Sequence, residues 1–335
     1  MSKVQMTLTL PCSLCVRTFA SAAGMIEDDG MASPVTLRMI QFRAGYNLPI
    51  HVAIEQGQFA RHGLNVEFEY TPGSDYLFGA LKAGKFEIAH SAADDLVADV
   101  EAEGDHSDLF LFMGIFGGLL SLVGTPENPD IDSLRGKSLG VDARTSGFVF
   151  PLEKKLRSLG FGPEDYTLVE AGGLERRFRA LLEGKFAATI LSSPYIEEAL
   201  ESGCHLLARP DELIPVYQAT CGIARRSWAA QNPDLIVGYI RAYVEATRWC
   251  FDPKNRQACL AHLMTHNGIK LSSAEKTLDA LLDPQNGIYP NAELNLPGVA
   301  AVLELRADLG YLKRPLPAVE KYLDLSYYRK AVGIH

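Results

Sequence analysis

The sequence predicts an α/β protein of two similar lobes, each a mostly parallel sheet flanked by helices. Short apolar or alternating runs are regularly followed by amphipathic runs, the rhythm of helices laid on a parallel sheet. One unit occurs twice: "LFGALKAGKFEIAHSA" and "RFRALLEGKFAATILSS" share Ala-Leu, two residues, Gly-Lys-Phe and an apolar strand ending in small polar residues. Phe78 to Ala92 and Phe178 to Ser193 are therefore expected to be equivalent pieces of two lobes. No linker or low-complexity segment divides them, so the chain is expected to cross between the lobes more than once.

The elements follow in order. Val35 to Phe42 alternates and reads as a first strand, and a helix over Asn47 to Gly63 comes next. Leu64 to Tyr70 is a second strand, followed by a helix capped by Ser74 or Asp75. Phe86 to Ala92 is a third strand and Asp94 to Gly104 a third helix. The apolar run Leu109 to Gly124 reads as two buried strands broken by Gly117-Gly118. "IDSLRGKSLGV" gives a short helix and a strand ending at Val141. Phe148, Leu152, Leu156 and Leu159 then keep helical spacing. A strand over Tyr166 to Gly172 and a helix and strand over Gly173 to Ser193 complete the second lobe. Five runs near 233–251, 255–268, 273–284, 296–310 and 318–332 make the C-terminal third helical.

The chain has 335 residues, 47% hydrophobic and 22% charged, normal for a globular protein large enough for two lobes. Its formal net charge of -9, with no basic block, argues against a nucleic-acid partner. No run reaches the roughly 18 to 20 apolar residues that span a bilayer. Residues 1–34 form a leader or disordered terminus: Lys3, a modest apolar run and an Ala-Ser-Ala-like end are parts of an export signal, but Pro11 and Arg17 interrupt it. Cys12 and Cys15 lie in that leader, and Cys204, Cys221, Cys250 and Cys259 are scattered without zinc spacing. Buried, unpaired thiols lean towards a reducing compartment, so the leader and the cysteines disagree on location. No P-loop, GxGxxG turn, Ser/His/Asp motif or metal-spaced cluster is visible. Neither a cofactor nor a metal is expected.

Between the strand ending at Val141 and the following helix lies "DARTSG". Thr145, Ser146 and Gly147 are small residues at a helix start. Two readings stand: a helix cap, or an anion site on free N–H groups.

Four longer patterns carry a resemblance. They are "HVAIEQGQFARHGLNVEFEY", "LKAGKFEIAHSAADDL" with Glu87 at the usual Asp, "DIDSLRGKSLGV", and "NPDLIVGYIRAYVEATRW". In that order, over residues from about 37 to 330, the chain resembles the substrate-binding proteins of nitrate, sulfonate and taurine type ABC importers, with the related pyrimidine-precursor binders. The resemblance implies a two-lobed type II periplasmic-binding fold with a ligand cleft between the lobes. Lobe one would take 35–122 and 222–335, and lobe two 123–221. It implies a small organic anion as ligand, a permease and an ATPase as partners, a monomer, and a periplasmic location, with a cytoplasmic one as the rival.

In that fold, strand ends and helix starts face the cleft, which tips Thr145-Ser146-Gly147 towards the anion site. Arg43, Gly45, Tyr46 and Asn47 open the first helix, and Ser91 and Asp94 follow the third strand. Gly117 lies in the Gly turn expected between the two apolar strands, Arg144 beside Thr145, and Ser192, Ser193 and Tyr195 after the matching strand of lobe two. Tyr46 and Tyr195 offer rigid rings, and the serines offer hydrogen bonds or serve as caps. Arg43 and Arg144 suit a carboxylate or sulfonate, or are solvated loop residues. Asp94 or Asp95 suits a ligand amine or a helix start. His51, among apolar neighbours, reads as a core histidine. The family resemblance extends to soluble enzymes, a second reading in which His90 with Arg43 would carry acid–base chemistry. Cys204 and His205 are adjacent on a strand and point to opposite faces, which argues against a dyad.

Overall fold

The computed structural model describes residues 33–334, apart from 119, 146, 210, 211, 213 and 215. Residues 1–32 of the leader and Ser146 therefore lie outside the described residues.

Sheet one joins β1 (Val35–Gln41), β2 (Leu64–Tyr70), β3 (Ile88–Ala92), β4 (Leu109–Phe116) and β10 (Thr220–Arg225) in the order β2-β1-β3-β10-β4. Sheet two joins β5 (Ser121–Gly124), β6 (Lys137–Val141), β7 (Tyr166–Glu170), β8 (Ala188–Leu191) and β9 (His205–Ala208) in the order β7-β6-β8-β5-β9. The two orders correspond position by position. In each sheet the first three strands pair in parallel, and the fourth is antiparallel to both neighbours. That odd strand is β10 in sheet one and β5 in sheet two. Each is entered directly from the other sheet, which explains its reversed direction. Gly117-Gly118 is thus a crossing between sheets, not a turn joining neighbours.

Helices α1 (Leu48–Glu55), α2 (Gln58–Arg61), α3 (Ser74–Lys82), α4 (Ala93–Glu103), α5 (Val149–Ser158), α6 (Leu174–Leu182) and α7 (Tyr195–Glu201) alternate with the strands. Helices α8 (Arg226–Gln231), α9 (Pro233–Phe251), α10 (Arg256–Asn267), α11 (Leu271–Leu281), α12 (Leu296–Asp308) and α13 (Ser326–Val332) follow β10. The repeated sequence unit is α3–β3 in one lobe and α6–β8 in the other. Every residue of β4 is buried, as its continuous apolar run requires. Helix α9 packs on α1, α2 and α13 and buries Tyr239 and Tyr243 completely. Among the described residues no helix is long and apolar enough to cross a membrane.

Several local expectations need correction. The helix over Asn47 to Gly63 is two helices, because Gly57 adopts the left-handed conformation (φ 67°) that ends a helix. The helix over 318–332 is also broken. Tyr322 is buried and donates to Glu101 Oε1 at 2.6 Å, while Leu323 is extended and bridges Leu111. Neither Ser74 nor Asp75 caps α3; Gly73 is the cap residue and Ser74 is the first helical residue. Nor does Thr145 cap α5, which starts at Val149 after Phe148 with no side-chain cap.

Candidate ligand-binding cleft

The ends of the parallel strands in both sheets converge on one cavity. It is lined by Phe42 after β1, Ala92 at the end of β3, Asp95 in α4, Asp142 after β6, and Ile190 in β8. Gly147, Phe148 and Val149 enter from the start of α5, and Leu174 and Arg177 from α6. Tyr46, Leu120 and Thr220 complete the wall. The room inside is about 40 Å³ for a water-sized sphere, enough for only two to four waters. The lobes are therefore held close together.

Hydrogen bonds across the cleft hold them there. Ser74 Oγ donates to Asp142 Oδ2 at 2.5 Å, and the Ser74 N–H reaches the same oxygen at 3.3 Å. Gly173 N–H donates to the Pro72 carbonyl at 3.1 Å, and Gly45 N–H to the Ser193 carbonyl at 3.1 Å. Asp94, fully buried, joins both lobes: it accepts from Gly147 N–H at 2.5 Å and from Arg306 Nη1 at 3.1 Å through both oxygens. The anion received beside the start of α5 is thus the chain's own Asp94 carboxylate. Burial pushes the Asp94 pKa up to about 6, against the pull of Arg306 and Gly147.

Arg177 and two carboxylates form the polar centre. Arg177 is 3% exposed, donates from Nη1 to the Gly172 carbonyl at 3.1 Å, and leaves Nε without a hydrogen-bond partner among the described residues. Burial lowers its pKa, while Asp142, Tyr46 and Asp95 act to raise it. Asp95 accepts from Ser91 Oγ at 2.9 Å, and its Oδ2 lies 3.2 Å from Ser74 Oγ. Tyr46 stacks on Phe116 at 5.3 Å, and burial raises its phenol pKa. Apolar walls around a few convergent polar groups are the usual composition of a small-molecule site.

The expected site residues divide accordingly. Tyr46 and Gly147 line the cavity, and Ser91 acts through Asp95. Asp94 is buried in its pair with Arg306. Gly45 sits where an added Cβ would meet Thr277 and the Ser193 carbonyl. Asn47 donates to the Phe42 carbonyl at 2.6 Å and so shapes the first loop. Ser192 is buried with Oγ unpartnered among the described residues, and Ser193 bonds Glu197 at 2.8 Å. Tyr195 is buried against Phe178, with ring centroids 5.4 Å apart. Gly117 lies against Tyr289. Arg144 and Thr145 are exposed, with Arg144 Nε 3.8 Å from Glu170. Arg43 is absent from the cavity wall. It bonds the His266 carbonyl at 2.8 Å and lies 3.5 Å from Glu175.

His90 is a correction. It is 1% exposed, bonds the Tyr239 hydroxyl at 2.8 Å, and does not line the cavity. Burial pushes its pKa down to about 3. His51 is the core histidine expected, with its pKa lowered to about 3 chiefly by burial. The four cysteines outside the leader are buried and free.

Asp142, Arg177, Phe42, Phe148 and Thr220 went unrecognised in the sequence. Asp142 had a usable signal, being the first polar residue after a buried strand. Arg177 had none, because it stands among three other charged residues in "LERRFRALL".

This architecture, two lobes with a shared cleft at their strand ends, is that of the type II periplasmic-binding proteins. The chain belongs to the NMT1/THI5-like family, whose model matches residues 45–256. Solved structures share the fold at low identity. The periplasmic nitrate-binding protein NrtA from Synechocystis PCC 6803 superposes with a TM-score of 0.74 at 13% identity, over 90% of this chain and 89% of that one. The ligand-binding component of an ABC-type import system from Staphylococcus aureus, solved with zinc bound, gives 0.72 at 13% identity, over 88% and 98%. The alkanesulfonate-binding protein SsuA from Xanthomonas axonopodis pv. citri, bound to MOPS, gives 0.69 at 18% identity, over 86% and 96%. No curated protein sequence matches significantly.

Proposed function

We propose that this chain is the solute-binding component of an ABC-type importer and captures one small polar organic molecule between its lobes. Family membership supports the solute-binding role. The ligand class rests on one observation, the buried Arg177 guanidinium set against Asp95 and Asp142 in the cavity. Arg177 suits a carboxylate, sulfonate or carbonyl oxygen. The two carboxylates suit an amino or ring N–H donor. One cation facing two acids disfavours a simple inorganic anion, so the organic anion expected from the sequence is refined to one that also carries a donor. Phe42, Tyr46 and Phe148 offer rings to its apolar body. In this role the protein works as a monomer in the periplasm and delivers its ligand to a permease driven by an ATPase. Neither histidine nor cysteine is among the described residues of the cavity wall, so an acid–base role for His90 finds no support.

The test is thermal stability and calorimetry against amino-substituted sulfonates and carboxylates, simple sulfonates, nitrate and aminopyrimidines, with each compound recovered by mass spectrometry. A ligand at a hundred times its dissociation constant adds about 2.7 kcal/mol. Arg177→Lys and Asp95→Asn are expected to weaken it about tenfold or more, a loss of about 1.4 kcal/mol. Unchanged affinity in both variants refutes the site, and a consumed compound refutes the binding role.

A further inference from the structure

Outside the cleft, α1 and α10 bring together two histidines and a glutamate. His262 and His266 are four residues apart on α10, so both rings project from one face. Glu55, the last residue of α1, faces them. Its Oε1 lies 2.8 Å from His266 Nε2 and its Oε2 lies 3.4 Å from His262 Nδ1. One ligand atom from each of the three residues falls within 4.8 Å of the others.

We propose that Glu55, His262 and His266 bind a divalent first-row transition ion, with zinc the best fit. An ion about 2.0–2.1 Å from each of three tetrahedral ligands holds those ligands about 3.3 Å apart; here His266 Nε2 and His262 Nδ1 stand 2.8 and 3.4 Å from the two different oxygens of Glu55, and one ligand atom from each residue lies within 4.8 Å of the others, so a small adjustment brings the three around one ion. Two imidazoles and one carboxylate suit zinc's borderline character better than calcium or magnesium, which take oxygen ligands. A small shift of Glu55 opens the space, and its side chain, 49% exposed, is free to make it. Glu55 and His266 are partly exposed, which leaves a fourth position to water.

The surroundings are built to hold the histidines. His51 stacks on the His266 ring, centroids 3.7 Å apart and planes 3° apart, and Tyr70 OH lies 3.3 Å from His51 Nε2. Arg43 bonds the His266 carbonyl, not its ring. The sequence hid this site because Glu55 is more than two hundred residues from its partners.

The test uses the full chain, without a histidine tag and stripped by chelator, with zinc and cobalt(II) as probes. The expected result is one zinc per chain after desalting, a cobalt(II) visible spectrum of a four-coordinate site, and a thermal shift reversed by EDTA. Glu55→Gln and His266→Gln are each expected to lower affinity about tenfold or more, while His205→Gln leaves it unchanged. Circular dichroism and metal-free melting check that each variant folds. Should His266→Gln fail to fold, the half-exposed Glu55→Gln decides alone. Failure of the wild-type chain to hold zinc or cobalt, or equal binding in Glu55→Gln, overturns the site. Neither result bears on ligand capture in the cleft, which these variants leave intact.

Discussion

His90 and Asp94 titrate in opposite senses. His90, sealed against Tyr239, resists protonation down to about pH 3, whereas in the unfolded chain it takes a proton below about 6.5. Its contribution to stability is present above 6.5 and is lost as pH falls from there towards 3, at about 1.4 kcal/mol per pH unit. His51 adds a second contribution of the same sign. Asp94, raised to about 6, does the reverse: its contribution is present below 3.8 and is lost as pH rises through 6. His90→Asn is therefore expected to flatten the acid limb of a urea-denaturation series between pH 6 and 4 by about 1.4 kcal/mol per pH unit relative to wild type. An unaltered limb would show that His90 is not held neutral.

At the scale of elements, two glycines mark where segments press together. Gly147 holds φ 70° just before α5, and an added Cβ would stand 3.0 Å from Asp95 Oδ1. Gly147→Ala is expected to cost about 1–2 kcal/mol in chemical denaturation and to weaken ligand capture as well. In β4, Gly114 lies directly against the Glu293 carbonyl, and its Cβ would also meet the Tyr289 ring at 2.8 Å. Gly114→Ala is expected to cost about 2–3 kcal/mol by overpacking, while the order of ligand preference stays the same. A stability equal to wild type would contradict this close approach. Element positions were readable because periods of 2 and 3.6 are local properties. Caps were not. Ser74 is spent on Asp142 across the cleft, beside Asp95 of its own lobe, a use that its position before an amphipathic run did not reveal.

For the whole molecule, the closed cleft depends on a few polar bonds between lobes. Asp142 alone accepts two, from Ser74 Oγ and N. Asp142→Ala is expected to part the lobes without unfolding either one. Small-angle scattering would then report a larger radius of gyration than wild type, with the melting temperature only slightly changed. An identical radius would mean that closure does not rest on this contact. The motion expected is a hinge between rigid lobes, with the passages from β4 to β5 and from β9 to β10 as the covalent joints.

The sequence by itself determined the α/β rhythm, the duplicated unit, the buried β4 and the core placement of His51, because alternation and apolar spacing act over a few residues. It also carried the family resemblance. Only the tertiary structure decided that β5 and β10 run against their neighbours, since direction depends on which sheet the chain has just left. Only the structure turned Arg177 from one charge among several on a helix into the buried cation of the cleft, took His90 out of it, and joined Glu55 to His262 and His266. Burial and charge pairing between distant segments exist only once the lobes have met, and no local pattern encodes them.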